Sequence, residues 1–573
     1  MNTLSRTRRI AFALGLVGGL VGAPPPALEA QATPPYDRAD TLRGSIGPER
    51  AWWDVTFYDL HVDVAPADST IIGRNGIVYR VLEPGATLQI DLQPPLVVDR
   101  VTRRGASLEH RREGNVVWVD VPEAVTGDLD TVTVHYRGRP RVASNPPWDG
   151  GFAWSRDDRG EPWIATANQG LGASVWWPNK DTQMDEPDSQ RIAITVPDPM
   201  VNVSNGRLRS VTGNGDGTTT WEWFVTAPIN NYDVAVNAGA YAHFGGIFHG
   251  EAGPLTLDFW PLEQNLEKAR TQFEQVPVNL ACFEHWFGPF PWYGDGYALV
   301  ETPHLGMEHQ SAIAYGNGYG NGYRGRDLSG TGLGMEFDFI IVHETAHEWW
   351  GNSVTSADLA DMWVHESFGN YAESLHVECL RDREAGARYV RGTRANIRND
   401  RPIIPAYGVN AEGSGDMYYK GGNMLHTIRQ IVDDDDRWRA ILRGIQSTFR
   451  HSVVTGDQVR AYISEHAGID LDPVFRQYLT TTGVPTLELR AVDGGIQHRW
   501  ADAVEGFDMP VDVKPGEGAC VRLSPTGRWQ SADVDVADVA ELGVDRDYYV
   551  RVRRLPADAG GAEPAPADAN CSG

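Results

Sequence analysis

The sequence predicts a multidomain protein of the α+β class, in which β-rich segments flank a mainly helical region. The chain has 573 residues, more than a single hydrophobic core normally serves. Short apolar runs broken by Gly, Asn, Asp and Pro dominate before about residue 245. Longer helical periods follow to about residue 483, and strand-like sequence then returns.

Residues 45–245 are predicted to form an N-terminal antiparallel β domain. Apolar residues alternate with polar ones at 56–64 and again at 191–196. A period of two places every second side chain on one face of a sheet. The turn-forming residues between such runs favour hairpins, and therefore antiparallel pairing.

Residues 246–483 are predicted to form the helical domain, and residues 484–555 a small C-terminal domain resembling a β-sandwich. Alternation at 486–490 supports the second assignment. Residues 556–573 are mostly Ala, Pro, Gly and Asp, a composition that cannot build a core, and are expected to be a disordered tail.

The first residues have the pattern of a secretory signal peptide, assigned to residues 1–30. Basic residues precede an apolar run at 10–21, and small residues at 27–32 offer cleavage points. The run is short for a membrane span and no later segment resembles one. An exported protein, periplasmic or secreted, is therefore expected. The adjacent Arg8 and Arg9 leave twin-arginine and general export both open.

Charge and cysteine content exclude some functions. The formal net charge of -27 argues against nucleic acid or an anionic membrane as partner. Four cysteines occur without metal-type spacing, and the sequence leaves their pairing open. They are Cys282, Cys379, Cys520 and Cys571.

The most informative motif is H-E-x-x-H at residues 343–347. On a helix, positions i and i+4 share a face, so His343 and His347 can bind one metal ion while Glu344 stands beside it as a general base. The apolar residues at 337–342 favour a buried helix, and Gly351-Asn352 predicts its end.

A second helix is predicted from about Asp361 to Leu380. Glu366, Asn370 and Glu373 lie on one face of it, at i, i+4 and i+7. Glu366 can therefore be the third ligand, and Glu373 can support a ligand from behind. Two His and one Glu leave a fourth position for water, which indicates a catalytic site for one Zn²⁺ per chain.

Two further motifs flank this metal site. Gly306-Met307-Glu308-His309 precedes it, and Tyr418-Tyr419-Lys420-Gly421 follows it. In their order and spacing these motifs resemble those of the gluzincin zinc aminopeptidases of the aminopeptidase N type, whose relatives include the leukotriene epoxide hydrolase. The resemblance implies a thermolysin-like catalytic domain over residues 246–483.

The resemblance also implies roles for individual residues. Gly306 and Met307 match an edge strand that pairs with the substrate backbone, and Glu308 matches the glutamate that binds the substrate's free α-amine. Gln169 resembles a glutamine that reaches the same place from the β domain. Tyr418 matches the catalytic tyrosine, whose hydroxyl can donate to the oxyanion. Peptides with a free N-terminus are the partners implied.

This sequence departs from the family pattern at three positions near the motifs. Leu305 stands where a glycine is usual, and His309 and His365 each replace an asparagine. The glutamates beside them are intact. These departures therefore put in question how the edge strand is held.

The predicted function is release of N-terminal amino acids by metal-activated water, with Glu344 as proton acceptor. A zinc endopeptidase would use the same ligands without amine recognition. An exported non-catalytic peptide-binding scaffold would show a lost ligand or base, which this sequence does not. An epoxide hydrolase is disfavoured, because that activity depends on a tunnel shaped partly by a helical domain with no counterpart after residue 483.

One segment fits none of these motifs. Residues 315–323 alternate Tyr, Gly and Asn, which excludes a regular helix. Two interpretations remain open: a wall of the active-site cleft, or an irregular excursion over the surface.

Overall fold

The computed structural model describes residues 36–122, 124–492, 494–536, 538–555 and 563–571. Residues 38–573 belong to one unit of the chain, and residues 1–37 to another. The signal peptide predicted at residues 1–30 lies outside the described residues. Among the helices described, none is both long enough and apolar enough to cross a lipid bilayer.

Two short helices, α1 (Arg38–Gly44) and α2 (Pro48–Ala51), lead into the N-terminal β region. In the first strand, buried Leu60, Val62 and Val64 alternate with more exposed residues, as the sequence period predicts. The strands are β1 (Trp53–Ala65), β2 (Thr70–Val81), β3 (Thr87–Asp91), β4 (Val97–Arg103), β5 (Ala106–Leu108), β6 (His110–Glu113), β7 (Val116–Asp120), β8 (Leu129–Gly138), β9 (Gly151–Arg156), β10 (Pro162–Ala167), β11 (Ser189–Pro197), β12 (Val201–Val203), β13 (Arg207–Gly213), β14 (Thr218–Val225) and β15 (Asn237–Gly239).

These strands form three sheets within the described residues. Their orders are β13-β14-β11-β1-β2-β8-β4-β5, β12-β15-β10-β9 and β3-β7-β6. Neighbouring strands are antiparallel except β1 and β11, which run parallel. The predicted β domain is confirmed. The parallel pair needs a long crossover connection, which a pattern of hairpin turns does not reveal.

The central region combines a five-stranded sheet, ordered β16-β17-β18-β20-β19, with helices packed around it. Its strands are β16 (Phe244–Gly250), β17 (Gly253–Trp260), β18 (Tyr297–Glu301), β19 (Gly306–Met307) and β20 (Ile313–Tyr315), with a separate pair, β21 (Val354–Ser356) and β22 (Ser452–Val454). Its helices are α3 (Leu266–Gln272), α4 (Gln275–Phe287), α5 (Phe339–Ala346), α6 (Trp363–Leu380), α7 (Arg383–Gly392), α8 (Asp416–Val432), α9 (Asp435–Phe449), α10 (Gly456–Ala467) and α11 (Asp472–Thr480). Strand β19 is thus an edge strand.

The C-terminal region contains two small sheets, ordered β27-β24-β23-β29-β30 and β26-β25-β28. The strands are β23 (Thr486–Val492), β24 (Gly495–Ala501), β25 (Val511–Pro515), β26 (Val521–Leu523), β27 (Gln530–Ala532), β28 (Leu542–Val544), β29 (Arg551–Leu555) and β30 (Ala565–Pro566). Together with the two regions before it, this arrangement confirms the predicted multidomain α+β class.

Two hydrophobic cores support this architecture. One lies in the N-terminal β region and includes Leu60 and Trp176. The other is shared, because Leu489 and Val513 of the C-terminal sheets belong to the same cluster as Trp349 of the helical region. The C-terminal sheets therefore pack on the helical region as one folding unit.

Two disulfides join distant parts of the chain. Cys282 on α4 is bonded to Cys379 on α6, 97 residues away, and Cys520 to Cys571, 51 residues away. The second bond and β30 mean that the predicted disordered tail is wrong for residues 563–571, because a covalent link and strand pairing order a composition that could not fold alone. Residues 556–562 and 572–573 of that tail lie outside the described residues.

We expect thiol titration of the denatured, non-reduced protein to find none of these four cysteines free. Replacing Cys282 and Cys379 together by Ala should lower the free energy of unfolding by about 2–4 kcal/mol, because the long loop is no longer closed in the unfolded chain. Urea unfolding measures the change. Four free thiols, or an unchanged midpoint in the double variant, would contradict the assignment.

Candidate active site

Helices α5 and α6 bring the three predicted ligands together. Asp338 caps α5, since its side chain accepts from the backbone N–H groups of Ile340 and Ile341. The regular helix ends at Ala346, earlier than the Gly351-Asn352 end that the sequence predicts, and a tight turn follows. His347 keeps helical φ and ψ angles of -66° and -18°, so the i, i+4 relation to His343 survives.

The ligand atoms of His343, His347 and Glu366 surround one point. The two Nε2 atoms are 3.3 Å apart, and they lie 3.6 Å and 3.5 Å from Glu366 Oε2. Donor atoms of a tetrahedral zinc site, each about 2.0–2.2 Å from the ion, are separated by about 3.3–3.6 Å. Glu366 Oε2 is also buried, and none of the residues that the structure describes forms a hydrogen bond with it. These residues therefore fit a zinc ion.

The other ring nitrogens are held in place from behind. His343 Nδ1 lies 2.9 Å from Glu373 Oε1, and His347 Nδ1 lies 2.8 Å from the carbonyl oxygen of Trp350. Each contact keeps a proton on Nδ1 and leaves Nε2 free for a metal. Glu373 in turn accepts hydrogen bonds from Asn370 Nδ2 at 3.1 Å and from the Tyr389 hydroxyl at 2.8 Å.

Glu344 lies between the metal ligands and the edge strand β19. A Cβ atom on Gly306 would stand 2.8 Å from Glu344 Oε1 and 2.9 Å from Ile340 Cγ2, so a side chain at this position would displace the Glu344 carboxylate. Burial raises the pKa of Glu344 to about 7, although His343 lowers it. A carboxyl group with this pKa can both accept and return a proton.

A second carboxylate, Glu308, follows β19 directly and is buried. Gln169 donates to Glu308 Oε1 at 2.5 Å, and the Tyr232 hydroxyl donates to the same oxygen at 3.2 Å. Both donors come from the N-terminal β region. Asn352 fixes the Glu308 backbone by donating to its carbonyl oxygen at 2.8 Å.

Tyr418 lies near the start of α8 with its ring 6.0 Å from that of His343. Helix α8 approaches α6 closely, because a Cβ atom on Gly421 would lie 1.9 Å from Ser367 Oγ. The glycine of the Y-x-K-G motif therefore sets the distance between Tyr418 and the metal ligands. Tyr419, the next residue, also lines the cavity.

The residues that depart from the family pattern do not contact the ligand atoms. His365 Nε2 accepts from the backbone N–H of Ser356 at 2.8 Å, and burial lowers the pKa of His365 to about 3. His309 is fully buried, and burial lowers its pKa to about 3 as well. Both imidazoles are therefore neutral. Leu305 is buried and lines the cavity next to β19.

The Tyr- and Gly-rich segment 315–323 supports the first metal helix. Tyr315 and Asn317 donate to the two oxygens of Asp338, at 2.7 Å and 2.8 Å. Tyr323 packs against Phe339, and Phe339 stacks on His343 with ring centres 5.2 Å apart. Because Tyr323 also lines the cavity, the structure favours the cleft-wall interpretation.

Sequence reasoning missed three contributors to this site. Tyr232 donates to Glu308, Tyr389 donates to Glu373, and the Trp350 carbonyl oxygen meets the His347 ring, yet these three residues belong to no motif. Their partners lie between 3 and 76 positions away. Periodicity could not have found them.

The predicted site residues line a cavity of about 900 Å³; they are Gln169, Glu308, His343, Glu344, His347, Glu366 and Tyr418. This volume lies within the range of about 300–1,000 Å³ that is usual for ligand sites. The fold and the two-histidine, one-glutamate centre are those that the resemblance to the gluzincins implies.

Comparison with known proteins points to one family. Residues 335–478 match the model for the peptidase family M1 domain. The chain is 27% identical to aminopeptidase N of Lactobacillus helveticus over 41% of this chain and 26% of that protein. It is 24% identical to aminopeptidase B of Mus musculus over 57% of this chain and 50% of that protein. These matches support the aminopeptidase N-type gluzincins of peptidase family M1 as the family that this chain resembles.

A solved structure shows the same fold. The M1 zinc metallopeptidase from Deinococcus radiodurans superposes with a TM-score of 0.64 at 20% identity, over 78% of this chain and 98% of that one. The chain spans a quarter to a half of the length of the two relatives above. The resemblance to this family implies zinc at the three ligand residues.

We expect Glu373→Gln to weaken zinc binding by about 10- to 100-fold, because the carboxylate that orients His343 loses its charge. Tyr389→Phe removes only one donor to that carboxylate and should have a smaller effect. Competition with a chromogenic chelator measures both affinities. Equal affinity in Glu373→Gln and the unchanged protein would show that Glu373 does not support the ligand.

Proposed function

We propose that the protein is a zinc-dependent aminopeptidase that releases N-terminal amino acids from peptides, with one Zn²⁺ per chain. The observation that carries this proposal is the buried Glu308 carboxylate beside the metal ligands, with Gln169 and Tyr232 donating to it. A buried carboxylate suits an ammonium group, since the ion pair offsets the cost of desolvating both charges. The relatives named aminopeptidase N and aminopeptidase B support the same activity.

A related structure supports a peptide as the substrate. The M1 zinc metallopeptidase from Deinococcus radiodurans has been crystallised with a Tyr-Ser-Ala substrate, and this chain shares its fold with a TM-score of 0.64. We infer that the equivalent cavity here receives a peptide in the same general way. The edge strand β19, with Gly306 and Met307, offers free backbone groups for such an extended chain.

In the proposed mechanism, His343, His347 and Glu366 would hold a zinc ion, which would supply Lewis-acid activation of a water molecule and of the scissile carbonyl. Glu344 accepts the proton of the attacking water and returns it to the leaving amine. Tyr418 donates its hydroxyl proton in a hydrogen bond to the developing oxyanion. Glu308 and Gln169 bind the α-amine, so that cleavage falls after the first residue.

The export assignment remains part of this proposal. The basic residues, apolar run and small residues of the first thirty positions support a signal peptide and a periplasmic or secreted enzyme. The two disulfides agree with an oxidising compartment.

Replacing Glu344 with Gln should lower kcat by at least 1,000-fold while zinc stays bound, because the ligands are intact and only the proton acceptor is lost. Hydrolysis of aminoacyl fluorogenic substrates, together with zinc analysis of the same sample, measures both quantities. Full activity in this variant would remove Glu344 from the mechanism.

Replacing Glu308 with Ala should lower kcat/KM for free-amine substrates by about 10- to 100-fold, because one charge-assisted hydrogen bond to the ammonium is lost. Glu412→Gln, which alters another cavity carboxylate, is the matched control. The unchanged enzyme should not cleave N-acetylated peptides. Efficient cleavage of such peptides would favour an endopeptidase instead.

A further inference from the structure

The active-site cavity is strongly acidic, yet it contains a cation that the mechanism above does not use. Six carboxylates line it: Glu308, Glu344, Glu366, Glu373, Glu412 and Asp416. Arg398 is the sole arginine or lysine among the described residues that line the cavity. Its side chain is exposed, and within the described part of the chain no carboxylate forms an ion pair with it.

The main chain at Arg398 is fixed although the side chain is free. The backbone N–H groups of Arg398 and Asn399 donate to the Asp416 carboxylate at 2.8 Å and 2.6 Å. Asp416 is buried at the start of α8, two residues before Tyr418. The backbone of Arg398 is therefore held at the same helix end as the proposed oxyanion donor, and its guanidinium can reach only the part of the cavity within one side-chain length of that point.

Arg398 and Glu308 are held by different parts of the chain that lines the cavity. Gln169 and Tyr232 of the N-terminal β region donate to the Glu308 carboxylate. The backbone of Arg398 is held instead by Asp416 at the start of α8. A peptide held by its amine at Glu308 and cleaved at the metal ligands has its later residues left to meet the wall that carries Arg398.

We propose that Arg398 binds the C-terminal carboxylate of the substrate, so that the preferred substrates are short peptides with a free carboxyl end. This inference rests on the proposed aminopeptidase function. A guanidinium presents paired N–H donors that match a carboxylate. The six carboxylates would otherwise repel the end of a short peptide. A cavity of about 900 Å³ also suits a short peptide rather than a long chain.

The test compares peptides that differ only in the charge of the C-terminus. Leucyl tri-, tetra- and pentapeptides are hydrolysed as free acids and as C-terminal amides, and the ratio of the two kcat/KM values is taken for each length. In the unchanged enzyme we expect the acid to be favoured by about 10- to 100-fold at the best length. In Arg398→Gln the ratio should fall to about 1. Because both substrates are measured on one preparation, partial unfolding cancels.

Two further arginines sharpen the test. Arg401→Gln is the matched control, since that exposed side chain donates to the Gly413 carbonyl oxygen and does not line the cavity. It should keep the acid preference. Arg324, which lies over the exposed Trp148 ring at the cavity mouth, is the rival cation. Loss of the preference in Arg324→Gln but not in Arg398→Gln would overturn the proposal.

Other outcomes are equally decisive. Equal rates for acid and amide at every length would overturn the carboxylate anchor while leaving the aminopeptidase function intact. An amidated peptide ending in Glu that is cleaved as fast as the free acids would assign Arg398 to side-chain carboxylates instead. Failure to hydrolyse any peptide or leucyl fluorogenic substrate, with zinc bound, would overturn the proposed function and this inference with it.

Discussion

The buried Glu366 carboxylate points one oxygen at two imidazole nitrogens, and that oxygen has no hydrogen-bond partner in the described part of the chain. A carboxylate oxygen left unpaired in the protein interior costs several kcal/mol of folding free energy. Two imidazole nitrogens buried beside it without a partner add to that cost. A divalent cation satisfies all three atoms at once. The rest of the site keeps the carboxylate oxygen and the two imidazole nitrogens at the distances that suit such a cation.

Three supports hold the separation. Asp338 fixes the start of α5, and the Tyr- and Gly-rich segment supplies two of the donors to its carboxylate. Close packing of α8 on α6 at Gly421 places Tyr418 beside the ligands. The N-terminal β region then contributes Gln169, which donates to Glu308, so the proposed amine site depends on contact between two separate cores. The metal ligands and the proposed amine site are therefore built by different parts of the chain.

Sequence alone predicted the parts of this site that depend on local geometry. Five residues of sequence are enough to show that His343 and His347 share one helix face. The second predicted helix supplies the remaining ligand. The alternating strands of the β region follow from the same kind of local period. The roles of Glu308, Tyr418 and Gln169 came from resemblance, and the structure places all three around the cavity.

What the sequence could not predict depends on tertiary packing. Tyr232 reaches Glu308 across 76 positions, and Tyr389 reaches Glu373 from the next helix. The disulfide pairing and the ordered tail depend on the same kind of long-range proximity. The early end of α5 reflects a turn in which the Trp350 carbonyl meets His347, a contact that outweighs the local preference for a longer helix.

Elemental analysis of the purified protein, after dialysis against metal-free buffer, tests the central claim most directly. The account predicts one zinc ion per chain in the unchanged protein and a large loss in His347→Ala, whose remaining ligands cannot complete the site. Native protein that holds no divalent metal, and takes none up on reconstitution, would contradict the account at its foundation.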